Sequence, residues 1–283
     1  MKPLVKYRGG KSKEIPYLIK HIPEFKGRYI EPFFGGGALF FYIEPEKSII
    51  NDINKKLIDF YRDVKDNFVQ LRHELDEIEC IYEKNRVEYE TRKKLNPTER
   101  VDDGNEDFYY FMRNEFNKDF SDRYLSSTLY FYINKTAYSG MIRYNSKGEF
   151  NVPFGRYKNL NTKLVANEHH LLMQGAQIFN EDYSEIFKMA RKDDFIFLDP
   201  PYDCVFSDYG NEEYKDGFNV DAHVKLSEDF KKLKCKAMMV IGKTELTDGL
   251  YKKMIIDEYD KSYSVNIRNR FKSVAKHIVV ANY

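Results

Sequence analysis

Residues 195–202 read Phe-Ile-Phe-Leu-Asp-Pro-Pro-Tyr, and this order predicts a buried strand that stops at a rigid loop. A run of four apolar residues suits a strand in the interior of a parallel sheet. Two consecutive prolines fix φ and remove two backbone donors, so the strand cannot continue through them. Asp199 and Tyr202 are therefore expected at the carboxyl end of a strand, where open α/β sheets bind ligands.

The loop 199–202 offers three groups that an extruded base with an exocyclic amino group requires. The Asp199 carboxylate and the free carbonyl of Pro200 can accept hydrogens from the amino group, and Tyr202 provides an aromatic plane for stacking. The alternative interpretation is a strand-ending turn with a surface tyrosine. The position directly after an apolar strand favours a functional loop.

Short apolar runs of the same kind occur towards both ends of the chain. They predict strands over residues 29–31, 48–50, 177–179, 237–241 and 277–280, with a helix over 226–233. From residue 55 to about 123, apolar side chains recur at helical spacing, and 83–100 is almost wholly polar, which predicts solvated helices or a mobile loop. We therefore predict an α/β sheet interrupted by an inserted, mainly helical domain.

Residues 33–38, Phe-Phe-Gly-Gly-Gly-Ala, predict a glycine turn between a strand and a helix. Glycines let the backbone approach a cofactor closely, and Asp52, at the end of the next predicted strand, can accept hydrogen bonds from ribose hydroxyls. This pair suits either a dinucleotide or S-adenosylmethionine. Phe40 stands where a dinucleotide fingerprint has its last glycine, and hydride transfer has no use for the loop 199–202. The sequence therefore favours S-adenosylmethionine.

Two lysine-containing motifs resemble the end of a phosphate-binding loop without completing it. The motif at 10–12 would need a glycine where Val5 stands, and the motif at 242–244 would need one where Ala237 stands. Both departures argue against a nucleoside triphosphatase.

The composition is typical of a soluble globular protein, with 283 residues of which 42% are hydrophobic and 32% charged. We expect neither a membrane span nor a secretion signal, because the chain has no run of about 18 apolar residues and no apolar segment at its start. Cys80, Cys204 and Cys235 lie far apart, which favours a reducing cytoplasm and argues against a structural zinc.

The net charge of +1 gives little support for nucleic-acid binding, but one stretch is locally basic. Between residues 134 and 163 the charged side chains are Lys135, Arg143, Lys147, Arg156, Lys158 and Lys163 against Glu149 alone. Six cations against one carboxylate suit a surface that faces a polyanion. An ordinary solvated surface is the alternative on charge alone.

The same stretch carries a predicted β-hairpin. Asn-Ser-Lys-Gly at 145–148 is a plausible hairpin turn, and its flanks are expected to bring Arg143 and Arg156 near one another, with Tyr138 and Tyr157 close by. Arginine is the usual bidentate reader of guanine, and a β-ribbon fits the major groove. A structural hairpin with incidental arginines is the alternative.

Together these motifs resemble the DNA adenine methyltransferases of the Dam family, also called class D12 or the α-group. The matching segments follow the family's order: 6–11 for the N-terminal cofactor motif, 31–37 for the glycine motif, 51–54 for the acidic motif, 143–157 for the target-reading hairpin and 199–202 for the catalytic loop. The resemblance implies a Rossmann-like sheet that binds S-adenosylmethionine and an inserted target-recognition domain. The implied domains are a catalytic domain in two parts, 1–54 and 166–283, and the insert 55–165.

The resemblance also implies three sets of site residues and no metal. The catalytic set is Asp199, Pro200 and Tyr202. The cofactor-binding set is Tyr7, Lys11, Phe33, Gly35, Gly37, Asp52 and Asp199. The DNA-contacting set is Lys6, Tyr138, Ser139, Arg143, Pro153, Arg156 and Tyr157. Ser139 departs from the asparagine that is familiar at its position. The segment 81–105 exceeds the compact family members and receives no function.

The expected activity is transfer of a methyl group from S-adenosylmethionine to N6 of a flipped adenine in a short duplex DNA target, with GATC as the default and S-adenosylhomocysteine as product. Alternatives are an RNA base methyltransferase, a DNA cytosine-N4 methyltransferase, in which serine more often replaces Asp199, and an inactive DNA-binding module. We expect a cytoplasmic enzyme of bacterial or phage type. No protein partner is required, although a cognate restriction endonuclease would fit.

Overall fold

The computed structural model describes residues 1–7, 9–118, 121–140, 142–202, 218–262 and 274–283. Arg8 of the N-terminal motif and Cys204 lie outside these ranges. The chain forms two compact units, each made of two segments. We call residues 1–10 and 55–174 the helical unit, and residues 11–54 and 175–283 the sheet unit. The helical unit thus contains the predicted insert together with 1–10 and 166–174, and the roles of the two units remain predictions.

The sheet unit is built on seven strands formed by described residues. They are β1 (Tyr29–Glu31), β2 (Ser48–Asn51), β3 (Ala176–Phe179), β4 (Phe195–Leu198), β5 (Lys236–Gly242), β6 (Ile255–Ser262) and β7 (Val274–Ala281). The spatial order is β3-β2-β1-β4-β5-β7-β6. Neighbours from β3 to β5 run parallel, whereas β7 is antiparallel to both β5 and β6. The first five strands repeat the order of a doubly wound Rossmann sheet, which confirms the predicted α/β class.

The strand β6 has no counterpart among the predicted strands. It reads Ile-Ile-Asp-Glu-Tyr-Asp-Lys-Ser and lies at the edge of the sheet. Charged side chains on an edge strand discourage pairing with other chains, and they also remove the apolar run that marks a buried strand. The interior strands β1, β2 and β4 are buried at every position, which is why their sequences are so apolar.

Helices of the sheet unit cover the core on the sheet. They are α1 (Ile15–Leu18), α2 (Ala38–Ile43), α8 (Tyr183–Met189), α9 (Val220–Lys232) and α10 (Glu245–Tyr251), numbered in chain order. Ile186 of α8, Phe230 of α9 and Tyr251 of α10 pack in one cluster with Ile196 and Met239 of the sheet. Side chains of Asp182, Asn219 and Thr244 cap the first turns of these three helices, which accounts for where each begins.

The helical unit contains α3 (Lys55–Asp66), α4 (Phe68–Leu95), α5 (Gly104–Phe116), α6 (Ser126–Thr136) and α7 (Asn167–Gln174). Nearly all of α6 is buried, and its Phe131 stacks on Phe60 of α3 with ring centroids 6.0 Å apart. The polar residues after 83 continue α4 as far as Leu95. Of the two predictions for 83–100, a solvated helix or a mobile loop, the helix is therefore correct up to Leu95.

The predicted hairpin turn is present in the helical unit, but its flanks pair only briefly. The Gly148 amide donates to the Asn145 carbonyl at 2.9 Å, and the Asn145 amide donates to the Glu149 carbonyl at 2.8 Å. Beyond the turn, the described residues pair through single bridges, Tyr144 with Phe150 and Ala137 with Phe154. In its described residues, the segment is therefore a turn flanked by two single bridges and not a continuous two-stranded ribbon.

No helix among the described residues is long and apolar enough to cross a membrane. In the same part of the chain, no three His, Cys, Asp or Glu side chains are grouped so that they could hold a metal ion.

Candidate active site and DNA-reading segment

Strands β2 and β3 lie on one side of β1, and β4 and β5 lie on the other, so the strand order reverses between β1 and β4. These two strands are parallel and end at the same edge of the sheet. Their register pairs Tyr29 with Phe195 and Ile30 with Ile196. The glycine turn follows β1 and Asp199 follows β4. In open α/β sheets the crevice at such a reversal is where ligands bind.

Asp199 is held by a buried lysine. The Lys11 ammonium lies 2.7 Å from Oδ1 and 2.6 Å from Oδ2 of Asp199, and the lysine is 2% exposed. Burial raises the pKa of Asp199 above its usual range, and the adjacent ammonium opposes that rise. The Tyr202 hydroxyl also donates to Oδ1 at 3.3 Å, and the ammonium lies 5.1 Å from the centre of the Tyr202 ring. The predicted catalytic residues Asp199 and Tyr202 are thus in direct contact.

Asp52 ties the glycine turn to the end of β2. Its Oδ2 accepts a hydrogen bond from the Gly35 amide at 2.7 Å, and its Oδ1 accepts one from the Asn54 amide at 3.0 Å. Burial raises the pKa of Asp52 to about 6, although these backbone donors pull it down. A carboxylate has room for about four hydrogen bonds, so acceptor positions remain for hydroxyl groups of a ligand.

The turn itself depends on glycine at position 37. Gly37 has φ +61°, in the left-handed region, and a Cβ there would lie 2.4 Å from the Phe34 ring. The Gly37 amide closes the turn on the Phe34 carbonyl at 2.8 Å. The backbone can follow this path only without a side chain. The predicted Phe33 packs nearby against Tyr183, with ring centroids 5.4 Å apart.

Glu31, within the motif 31–37, is a further buried acidic residue at the end of β1. Its carboxylate is 2% exposed and accepts a hydrogen bond from the Tyr29 hydroxyl at 2.7 Å. Burial raises the pKa of Glu31 well above its usual range, and the negative charges of Asp199 and Asp52 add to the rise. The sequence feature that could have singled out Glu31 is a charged residue at the carboxyl end of an otherwise apolar strand.

The structure gathers most of the predicted cofactor set in the sheet unit. Lys11, Phe33, Gly35, Gly37, Asp52 and Asp199 all belong to it, whereas Tyr7 belongs to the helical unit. Tyr7 is half-buried, and its carbonyl accepts a hydrogen bond from the Gly10 amide at 3.2 Å.

All seven residues of the predicted DNA-contacting set belong to the helical unit. Lys6 and Asn134 exchange two hydrogen bonds, from the Lys6 amide at 2.8 Å and to the Lys6 carbonyl at 2.7 Å. The Lys6 ammonium lies 4.0 Å from the centre of the Tyr157 ring. Tyr138 is 54% exposed, and its amide donates to the Pro153 carbonyl at 2.9 Å. These contacts join four members of the set in two pairs, Lys6 with Tyr157 and Tyr138 with Pro153, and Asn134 anchors Lys6 although it was not predicted.

The two arginines of this segment have separate partners. Arg143 Nε donates to Asn151 Oδ1 at 3.0 Å, and the Asn151 amide donates back to the Arg143 carbonyl at 3.2 Å. Arg156 Nη2 lies 2.8 and 2.6 Å from the two carboxylate oxygens of Glu106 on α5. The residue opposite Arg143 is therefore Asn151. The bridge from Tyr144 to Phe150 sets this register, which leaves Arg156 well beyond the turn.

Ser139 adopts a left-handed conformation with φ +55°. Asparagine tolerates this region better than most residues, and serine does so less readily. The departure noted in the sequence therefore falls on a backbone position where asparagine would fit with less strain.

A sheet of this order, with a glycine turn and an Asp-Pro-Pro-Tyr loop at its carboxyl edge, defines a Rossmann-like methyltransferase. The sequence model of the D12 class N6 adenine-specific DNA methyltransferases matches residues 7–265. The chain belongs to this family. It is an enzyme that methylates adenine N6 in DNA, which sets aside the cytosine-N4, RNA and inactive-module alternatives.

Known relatives extend over the whole chain. The type II methyltransferase M.CviBI of Paramecium bursaria Chlorella virus NC1A is 33% identical over 290 residues, covering 100% of both chains. The type II methyltransferase M1.LlaDCHI of Lactococcus lactis subsp. cremoris is 30% identical over 300 residues, covering 100% of this chain and 96% of its own. The DNA adenine methylase of Escherichia coli strain K12 is 35% identical over 206 residues, which is 70% of this chain and 64% of the relative.

Proposed function

We propose that this enzyme transfers the methyl group of S-adenosylmethionine to N6 of an adenine that it extrudes from a short duplex target, with Asp199, Pro200 and Tyr202 as catalytic residues. The observation that carries the proposal is the contact of Asp199 with Lys11 and Tyr202, at the sheet edge that also bears the glycine turn. Reaction at an amino group requires hydrogen-bond acceptors and a stacking surface together, and this loop supplies both.

The acidic groups of the sheet unit support S-adenosylmethionine as the methyl donor. This molecule carries a positive sulfonium and a positive ammonium, and its ribose offers two hydroxyl donors. Asp52 and Glu31 are buried carboxylates that influence each other electrostatically, and Asp199 acts on Glu31 in the same way. Burial disfavours the ionised forms of Glu31 and Asp52, and a cationic ligand bound beside them would favour those ionised forms again. The ribose would be held by Asp52, and Gly35 and Gly37 would leave room for the backbone to approach it.

The residues of the loop would act on the base and its amino group. Extruding the adenine costs a few kcal/mol, and stacking on Tyr202 would recover part of that cost. Asp199 and the Pro200 carbonyl would accept the two amino hydrogens, which localises the nitrogen lone pair that is otherwise delocalised into the ring. When bound, S-adenosylmethionine supplies an electrophilic methyl group on its sulfonium. Lys11 fixes the carboxylate, so catalysis rests on positioning and electrostatics.

The catalytic assignment is tested by Asp199→Ala. Single-turnover transfer of a tritiated methyl group should fall by on the order of 10³-fold, the size seen when one preorganised electrostatic contact is removed. The Kd for duplex DNA should stay within about threefold, because the DNA-contacting set lies elsewhere in the chain. Asp193→Ala is the matched control, since Asp193 is exposed and lies two residues before β4. A variant at position 199 that keeps wild-type turnover would refute the assignment.

We infer that residues 134–163 read the target and that GATC is the candidate sequence. Support comes from the local charge, from the exposed turn and from the relatives named DNA adenine methylase. Methyl transfer to a GATC duplex should exceed transfer to the same duplex with the site permuted to GTAC. Arg143→Ala should relax the preference at one guanine by about 1–3 kcal/mol. Lys147→Ala, in the exposed turn, is the control. Equal loss on every sequence would instead indicate phosphate contacts.

The names of the relatives divide between type II methyltransferases and adenine methylases. A type II role would pair this enzyme with a restriction endonuclease of the same specificity. Sequencing DNA from cells that express the enzyme, with detection of modified bases, would give the target. Comparison of that target with the sites cut in extracts of the source cells would then test the partner.

A further inference from the structure

We propose that Glu14 and His277 are positioning residues for methyl transfer, because together they hold the ring of Tyr202 in the orientation from which it stacks on the extruded base. The inference rests on the proposed function of Tyr202. All the residues concerned belong to the sheet unit.

Glu14 is a buried carboxylate at the start of α1, just after a 3₁₀ turn, Lys11–Lys13. It is 2% exposed and accepts hydrogen bonds from the Tyr259 hydroxyl, the Lys261 ammonium and His277 Nδ1, the last at 2.9 Å. Burial alone would raise the pKa of Glu14, but the His277 hydrogen bond, the charge of Lys11 and the other two donors hold it at about 2. An ionised carboxylate can only accept, so it fixes the proton of His277 on Nδ1.

His277 transmits this orientation to the catalytic loop. The histidine lies in β7, is 1% exposed, and its ring meets the Tyr202 ring edge-on, with centroids 5.1 Å apart at 78°. The Tyr259 ring contacts the same imidazole at 5.6 Å and 66°. Aromatic rings at these separations favour such edge-to-face geometry. Because Glu14 sets the plane of the imidazole, it also sets the surface against which Tyr202 packs.

Glu14 supports the other end of the loop through its backbone. The Glu14 amide donates to the Lys11 carbonyl at 2.7 Å, and the Lys11 ammonium binds Asp199. One residue therefore supports Asp199 through Lys11 and Tyr202 through His277. This arrangement would keep the acceptor and the stacking ring in a fixed relation to one another. A misplacement of about 1 Å at a reacting centre can cost about 10²-fold in rate.

A purely structural role for the cluster makes different predictions. If the cluster only joins β6 and β7 to the start of α1, a substitution in it lowers the free energy of unfolding. The methyl-transfer rate of the folded enzyme then stays at the wild-type value. If it positions Tyr202, the rate of the folded enzyme falls and the stacking of the target base changes. The Kd values for cofactor and duplex stay near wild type in both cases.

The test compares His277→Asn with His277→Phe in the full-length enzyme. Asparagine keeps a donor for Glu14 without an aromatic ring, whereas phenylalanine keeps the ring and the volume without the donor. Two readouts are needed: the single-turnover rate of methyl transfer, and the emission of 2-aminopurine placed at the target adenine, which brightens when the base is unstacked. His169→Asn is the matched control, a buried histidine of the helical unit that bonds the Lys2 carbonyl at 3.0 Å.

We expect His277→Asn to be slower by about 10- to 100-fold and to give brighter emission. His277→Phe keeps the ring but loses the hydrogen bond by which Glu14 orients it, so it should also be slower than wild type and give brighter emission, whereas His169→Asn should match wild type in both readouts. Wild-type rate and emission in folded His277→Asn would overturn the proposal. If that variant does not fold, His277→Phe decides alone: wild-type rate and emission in the folded protein would overturn the proposal, and a slower rate with brighter emission would support it. A Tyr202→Ala enzyme with unchanged rate and emission would instead refute the proposed function of Tyr202.

Discussion

The Lys11 ammonium binds both carboxylate oxygens of Asp199, at 2.7 and 2.6 Å, although 188 positions separate the two residues. The pair joins the last residue of the N-terminal motif 6–11 to the first residue of the Asp-Pro-Pro-Tyr loop. Oδ1 also accepts from the Tyr202 hydroxyl, but Oδ2 has a second lone pair that leaves acceptor capacity for an amino group. The lysine therefore orients the carboxylate without occupying it fully.

The first prediction concerns the stability of this pair. Asp199→Ala removes the carboxylate that faces a buried ammonium, and breaking such a pair costs about 3 kcal/mol. The double variant Lys11→Met with Asp199→Ala removes both charges, so its free energy of unfolding should recover part of that loss. Urea unfolding at neutral pH measures the two single variants, Asp199→Ala and Lys11→Met, and the double variant. Simple additivity of the two single losses would show that the pair is not coupled.

The second prediction concerns the pH dependence of cofactor binding. The pKa of Asp52 is raised to about 6, and ribose hydroxyls would bind its ionised form best. As pH falls below about 6, the carboxyl is protonated and S-adenosylhomocysteine should bind more weakly. Calorimetric titration between pH 5 and 7.5 should show this loss in the wild type. Asp52→Asn should bind weakly at every pH, and a wild-type pH profile in that variant would assign the titration to another group.

The third prediction concerns the acid stability contributed by Glu14. Its pKa is about 2 in the folded protein, against 4.5 for the unperturbed group. A lowered pKa means that the contribution is fully present above pH 4.5 and is lost as pH falls towards 2. Glu14→Gln should therefore be less stable than wild type at pH 6, and the difference should shrink below pH 4.5. Denaturant unfolding at both pH values measures it. A constant difference would contradict the assignment.

The fourth prediction compares two glycines with similar backbone angles. Gly37→Ala places a Cβ 2.4 Å from the Phe34 ring at φ +61°, whereas Gly148→Ala at φ +77° meets no atom within 4 Å. In both variants an alanine in the left-handed conformation lowers the free energy of unfolding by about 1 kcal/mol. Only Gly37→Ala must also displace a buried ring. Thermal unfolding should show the larger loss for Gly37→Ala, together with weaker cofactor binding. Equal losses would mean that the ring contact contributes nothing.

The sequence predicted the parts of the fold that local patterns encode. Apolar runs marked β1, β2 and β4, and the proline pair marked where β4 ends, because burial and proline geometry act within a few residues. The edge strand β6 was missed because its charged side chains hide the strand pattern. The link from Glu14 to His277 spans 263 positions, and no local pattern encodes which distant side chain meets a buried carboxylate.

The candidate site was predicted unevenly for the same reason. Asp199, Asp52 and the glycine turn follow directly from strand ends, which the sequence marks clearly. The partners of Arg143 and Arg156 depend on the register of a short turn segment, and a register error of a few residues exchanges one partner for another. Asn151 and Glu106 were therefore not foreseen.

The chain crosses between its two units at 10/11, 54/55 and 174/175, so neither unit is one continuous piece of sequence. The helical unit, which contains the segment that we propose reads the target, cannot then be transplanted between relatives as one continuous segment. Moving residues 55–174 alone would leave behind residues 1–10, and with them the Lys6 backbone that exchanges two hydrogen bonds with Asn134. Hybrid enzymes with altered targets should require both segments to be inherited together.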